Sequence, residues 1–165
     1  MSKQAVQALS GLATFLVFLA IFSPLWIVEG PFWIKIEPKI SYLDILMNLR
    51  SLPTPFSDPK TPGEVALGLA LLVISAFFAI SSAIVSAFST ASGRATSLAI
   101  VSTWGALATL YASTEIISGS TPELKFLTST VVEIHMGSAF VLMILAGVLL
   151  IMAWFFEGRI IEEQA

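Results

Sequence analysis

The sequence predicts an all-α integral membrane protein: an antiparallel bundle of four transmembrane helices with a small, possibly β-containing cap outside the bilayer. Three observations carry this. Of 165 residues, 56% are hydrophobic and 12% charged, whereas an average soluble domain has about 25% charged residues. Half that supply cannot cover a water-facing surface without leaving large apolar patches. The windows 4–28, 65–93, 95–114 and 136–156 are also uncharged. Each reaches the ~20 residues that cross a ~30 Å hydrocarbon core, where only a helix satisfies its own backbone. Finally, none of these windows carries the polar stripe that a buried helix of a soluble bundle would show to water. The whole chain reads as one membrane domain, with spans over about 4–28, 65–92, 95–115 and 134–156, an ordered loop 29–64, a short loop 116–122 and a helix extension 122–134.

The first window is too long for a signal-peptide core of roughly 7–15 residues, and it ends in Pro24-Leu25-Trp26 rather than in small residues, so it reads as a retained span. In the loop that follows, residues 32–37 alternate in part like a strand and 40–42 are placed to pair with it. Ser41-Tyr42-Leu43-Asp44 then resembles a cap for a short helix running to Arg50, with Leu43, Leu46 and Met47 on one face. Pro53, Pro55, Pro59 and Pro62 stiffen the remainder.

Thr61-Pro62-Gly63-Glu64 reads as a capping box that starts the second span. That span exceeds the hydrocarbon thickness and should tilt or protrude. It carries a small-residue stripe of Gly68, Ser75, Ala79, Ala83 and Ala87, and the third span a similar one of Ser102, Gly105, Ala106, Thr109 and Ser113. Small faces let helix backbones approach closely in lipid, so the two spans, joined by a tight turn at Gly93, should form an antiparallel hairpin. Pro122 and Glu123 read as the first turn of the fourth helix, with Trp154 and Arg159 as interfacial anchors at its far end.

Four spans put both termini on one side of the membrane. Lys3, Arg94 and Arg159 lie on that side, and Lys35, Lys39, Arg50, Lys60 and Lys125 on the other. A bare count of basic residues would turn the long loop towards the cytoplasm. Lys3 placed as a start signal favours cytoplasmic termini in a cell membrane, with the loop lysines belonging to a folded cap.

At the end of the first span, Ser23-Pro24-Leu25-Trp26-Ile27-Val28 is followed by a strand-like segment containing Trp33. This pattern resembles the claudin and peripheral myelin protein superfamily, in which a tryptophan of this kind ends the first helix and a sheet-forming loop with a second tryptophan follows. The order of a long first loop, a tight second turn and a short third loop is similar too. The resemblance implies a left-handed four-helix bundle and an extracellular sheet used for lateral or cell-to-cell association, with Trp26 and Trp33 seating the loop. The family's paired cysteines are missing, since the chain has none. Packing would have to replace the disulfide.

Chemistry is sparse. The absence of cysteine excludes disulfides, thiolate catalysis and Cys-based zinc or iron–sulfur sites. There is no phosphate-binding glycine loop, no triad around His135, and no basic patch of the kind that binds nucleic acid. Glu115, Glu133 and His135 form the one polar group near a common membrane face that a metal or a proton relay could use. On a helix, Glu133 and His135 would point about 200° apart and could not both face Glu115. His135, the single histidine, is the one candidate for a cofactor ligand, and it cannot supply both axial ligands of a haem from one chain. No cofactor or metal is expected. Ionisable residues are missing from mid-span, where transporters usually carry them.

The reading is a non-catalytic tetraspan scaffold or accessory subunit, self-associating or joined to a larger membrane complex. Its expected partners are the lipid bilayer, further copies of itself or other membrane subunits, and no nucleic acid. The packing residues are Gly68, Ser75, Ala79, Ala83, Gly105 and Thr109. Two alternatives are a pore or carrier subunit for a small solute or ion and a cofactor- or quinone-binding subunit of a respiratory complex.

Overall fold

A computed structural model describes residues 3–29, 35–36, 40–47, 63–92, 96–128 and 133–164. Five helices, α1 (Lys3–Phe22), α2 (Tyr42–Met47), α3 (Gly63–Ser92), α4 (Thr96–Thr128) and α5 (Ser138–Gln164), accompany three short strands, β1 (Trp26–Glu29), β2 (Lys35–Ile36) and β3 (Glu133–Met136). The long helices pack in a ring: α1 against α3 and α5, and α4 against α3 and α5.

Among the described residues, three helices are long and apolar enough to cross a membrane, over Gln4–Phe22, Gly63–Phe88 and Ser138–Glu157. The 19 residues of the first rise about 28 Å, close to the hydrocarbon thickness. α4 is longer than any of them, but its serines, threonines, Trp104 and Tyr111 dilute its apolar character.

One spacing rule orders the interior. On α1 a line of buried positions runs through Ser10, Ala13, Val17 and Ala20, and on α5 one runs through Ala139, Met143, Ala146, Leu150 and Ala153, with Ile21 and Gly147 buried beside them. α3 buries Gly68, Leu72, Ser75, Ala79, Ser82 and Ser86, and α4 buries Ala99, Thr103, Ala106, Leu110 and Ser113. Steps of three and four alternate throughout, the 3.5-residue period that keeps one seam facing a neighbour along a left-handed supercoil. The seam residues are mostly small, and the large apolar side chains (Phe15, Phe18, Ile74, Phe77, Ile84, Val141 and Phe155 among them) point outward. A soluble bundle has the opposite arrangement.

The structure corrects several boundaries. α1 stops at Phe22 instead of running to residue 28, because Pro24 offers no N–H; the Ser23 hydroxyl and N–H close the last turn on the carbonyls of Leu19 and Ala20. The next residues form β1, which Lys35–Ile36 joins from one side, in place of the expected pairing of 32–37 with 40–42. Ile40 is irregular and accepts the Leu25 N–H. α4 passes unbroken through 116–122 and through Pro122, so no loop lies there and no helix begins there. One proline costs a single interior bond and some steric strain, which does not stop a helix already built. Residues 122–128 of the expected extension are helical but belong to the end of α4, and where its last residues and the start of the fourth span were expected the chain forms β3 antiparallel to β1, pairing Trp26 with Met136, Ile27 with His135, Val28 with Ile134 and Glu29 with Glu133. The three-stranded order is β2-β1-β3. The expected capping residues Thr61 and Pro62, the turn at Gly93, Trp33 and the prolines at 53, 55 and 59 lie outside the described residues.

Candidate functional site: the seat of the cap on the bundle

The short helix starts as its sequence requires. The Ser41 hydroxyl and N–H both donate to the Asp44 carboxylate, at 2.7 and 2.9 Å, and the Asp44 N–H returns a 3.3 Å bond to the hydroxyl. This is a reciprocal capping box with aspartate in the glutamate position. The Ser41 hydroxyl, and then its N–H, hold the Asp44 carboxyl below its ordinary pKa. Which face packs differs from expectation. Tyr42 and Ile45 are buried, Leu43 and Leu46 are half-buried, and Met47 is 76% exposed. Tyr42 and Ile45 are three apart and share a helix face.

Tyr42 enters the bundle completely, and its phenol lies 3.0 Å from the Ser75 hydroxyl of α3. Ser75 has one hydroxyl proton and gives it to the Ala106 carbonyl of α4 at 2.7 Å. The phenol must therefore be the donor to Ser75. Burial pushes its pKa up to about 12, which keeps that proton in place at any physiological pH. A chain of two bonds thus links the cap to α3 and α3 to α4.

Trp26 makes the second contact. Its indole N–H donates to the Thr114 hydroxyl of α4 at 2.9 Å, and Thr114 in turn donates to the Leu110 carbonyl. Just before it the backbone is pinned on both sides: the Leu25 N–H donates to Ile40, and its carbonyl accepts the Gly137 N–H at 2.7 Å. The Pro24 carbonyl accepts the N–H of Ala139, one of the donors left over at the start of α5. A Cβ on Gly137 would stand 2.3 Å from the Pro24 carbonyl oxygen. Only glycine lets the two chain segments cross this closely.

Below the seat, hydroxyls continue along the α3–α4 seam. Ser113 donates to the Gly68 carbonyl at 2.7 Å, and Ser82 meets Thr103, whose own proton goes to the Ala99 carbonyl. A Cβ on Gly68 would stand 2.6 Å from Ile117, and one on Gly105 would meet the Phe78 ring at 3.2 Å. Ala79 is buried on the same face, whereas Ala83 is half-buried and Ala87 exposed. Thr109 bonds within its own helix, to the Gly105 carbonyl. Among the described residues, every buried side-chain polar atom has a hydrogen-bond partner.

The polar group Glu115, Glu133 and His135 takes a different form from the one expected. Glu133 and His135 belong to β3, so the helical separation of 200° does not apply to them. Glu115 is exposed on α4 and His135 is exposed on the strand that packs against α4, so neither stands in a buried site. Among the described residues, no group of three or more histidines and carboxylates is placed to hold a metal ion. Sequence reasoning missed Tyr42 and Gly137. A buried phenol on a six-residue helix has no periodic signature. The strand that leads to Gly137 does have one, because Ile134 and Met136 alternate with Glu133 and His135. No family model and no curated protein matches the chain.

Proposed function

We propose that the chain is a four-span, non-catalytic membrane protein that serves as a scaffold or accessory subunit, associating laterally with copies of itself or with a larger membrane complex. The observation that carries this reading is the use made of the hydroxyls. Along the α3–α4 seam they close the bundle on itself, and the surfaces left facing outward are apolar. α4 illustrates the point. Its outward stripe is Leu98, Val101, Trp104, Ala108 and Tyr111, and it ends at the exposed Glu115. From Thr96 to Glu115 the helix rises about 28 Å, one hydrocarbon thickness. α4 would then be the fourth span, polar only where it meets its neighbours, and its last residues would stand clear of the bilayer.

The kinship with the claudin and peripheral myelin protein superfamily belongs to the same proposal. In its favour are a strand that begins at Trp26 directly after the first helix and an indole that seats it on the bundle. Backbone pinning around Leu25 and burial of Tyr42 would do the work of the missing disulfide. Both termini are proposed to face the cytoplasm of a cell membrane.

The rival reading, a pore or carrier subunit, needs a continuous polar path. Ser75, Thr103, Ser113 and Thr114 each give their proton to a helix carbonyl instead of to the next hydroxyl along the seam. The bonds of Ser75 and Ser113 cross between α3 and α4 and those of Thr103 and Thr114 close within α4, a pattern that favours packing over a relay. Gentle extraction into nanodiscs, with mass measurement of the intact particle, tests the proposal. A homo-oligomer or a stoichiometric complex with other membrane subunits is expected. Solute flux through the purified protein alone, or a bound cofactor in stoichiometric amount, would overturn it.

A further inference from the structure

We propose that α2 is a releasable latch: a preformed helix that locks the cap end of the bundle by inserting Tyr42 and that can withdraw as a unit, leaving the remaining fold intact. The two contacts of the cap differ in how they are held. Trp26 belongs to β1, which is laddered to β2 and β3, and it follows Leu25, whose N–H and carbonyl are both bonded to other segments. Moving Trp26 means dismantling the sheet. α2 has no strand partner. Its start is secured by the Ser41–Asp44 box, whose bonds lie within the segment itself and travel with it.

With the hinge after Ile40, whose carbonyl holds the Leu25 N–H, withdrawal leaves neither that donor nor the Ser75 hydroxyl without a partner. The Ser75 hydroxyl keeps its bond to the Ala106 carbonyl, losing only a proton that it accepted from Tyr42. The phenol finds water outside. An orphaned buried donor is what usually makes such a separation prohibitive, and here there is none. What holds the latch is the phenol bond, the burial of Tyr42 and Ile45 and the partial packing of Leu43 and Leu46 on the core, whereas Met47 faces outward. This inference does not depend on the partner proposed above, because it concerns an equilibrium within one chain.

The native chain has no cysteine, so single cysteines report cleanly. Ile45→Cys, Met47→Cys and Ala99→Cys would each be labelled with a water-soluble maleimide in the full-length protein in nanodiscs. In the parent, Ile45→Cys should react far more slowly than Met47→Cys, and Ala99→Cys should be protected. Adding Tyr42→Phe should raise the Ile45→Cys rate roughly three- to tenfold, the span expected for one net hydrogen bond, and leave Ala99→Cys protected. Ser75→Ala, which removes the same bond from the other side, should reproduce the acceleration. An unchanged Ile45→Cys rate in both variants would overturn the proposal. So would simultaneous exposure of Ala99→Cys, because opening would then be unfolding of the bundle.

Discussion

Two seams with the same spacing hold this bundle by different means. On α1 and α5 the buried positions are mostly alanine, valine, methionine and leucine, with Ser10 and Gly147 among them, and the α1 hydroxyls of Thr14 and Ser23 bond to carbonyls of their own helix. Between α3 and α4 the same alternation of threes and fours places Ser75, Ser82, Thr103 and Ser113 at the contact, and hydrogen bonds pass from helix to helix. In lipid, apolar side chains gain nothing by leaving the solvent, so close fit and interhelical bonds are the available forces. The first seam depends on fit alone. The second adds bonds, and it is also where the cap is attached.

The largest disturbance should come where fit is most exacting. Gly137→Ala sets a Cβ against the Pro24 carbonyl, a backbone atom with no rotamer to yield. A loss of about 3 kcal/mol or more is expected, seen as a large fall in the thermal midpoint in detergent. A shift within error would mean that the crossing of the α1–β1 and β3–α5 junctions is loose.

A paired substitution addresses the seams directly. Ala146→Leu overfills the apolar seam and should cost about 1–3 kcal/mol. Ser82→Ala removes one bond from the other seam and should cost only about 0.6 kcal/mol, because Thr103 retains its bond to Ala99. Chemical denaturation of both variants in mixed micelles would rank them. If Ser82→Ala proved the more damaging, bonds rather than fit would dominate in both seams.

The smallest effect concerns the cap and depends on pH. The Asp44 carboxyl is held below its ordinary value, so its contribution to forming α2 is complete above that value, about 3.8, and fades as pH falls through the lowered folded one. Tryptophan fluorescence of an Asp44→Asn variant should lack this acid step while the parent shows it. An identical acid profile in the two would remove Asp44 from the cap's stability.

Much of the membrane architecture was legible because its signals are local. Uncharged windows, the small-residue stripe on α3 and the Ser41–Asp44 box each lie within a few turns of chain. The cap was legible only in part. Trp26 stood out as an aromatic after a proline, but its partner is 88 residues away and nothing near it names Thr114. Glu133-Ile134-His135-Met136 alternates as a strand does, but the apolar run that follows carries a stronger helical signal and hides it. Pro122 suggested a helix start by a rule about preference, and α4 simply ran through it. The candidate site is thus made of the contacts that a reading along the chain sees least well, between segments far apart in sequence.

The pairing of Trp26 with Met136 also has a consequence for biosynthesis. Each of the three helices apolar enough to cross a membrane can enter it soon after leaving the ribosome, since its backbone bonds are internal. β1 cannot finish one edge of its ladder in the same way. It emerges directly after the first helix and waits for β3, and the indole waits for Thr114. For most of the time the chain is being made, β1 is a strand with an unpaired edge. Assembly therefore has a late step, the closing of the sheet, which must wait for residues 133–136, and the nascent chain is most open to wrong pairing in the interval before it.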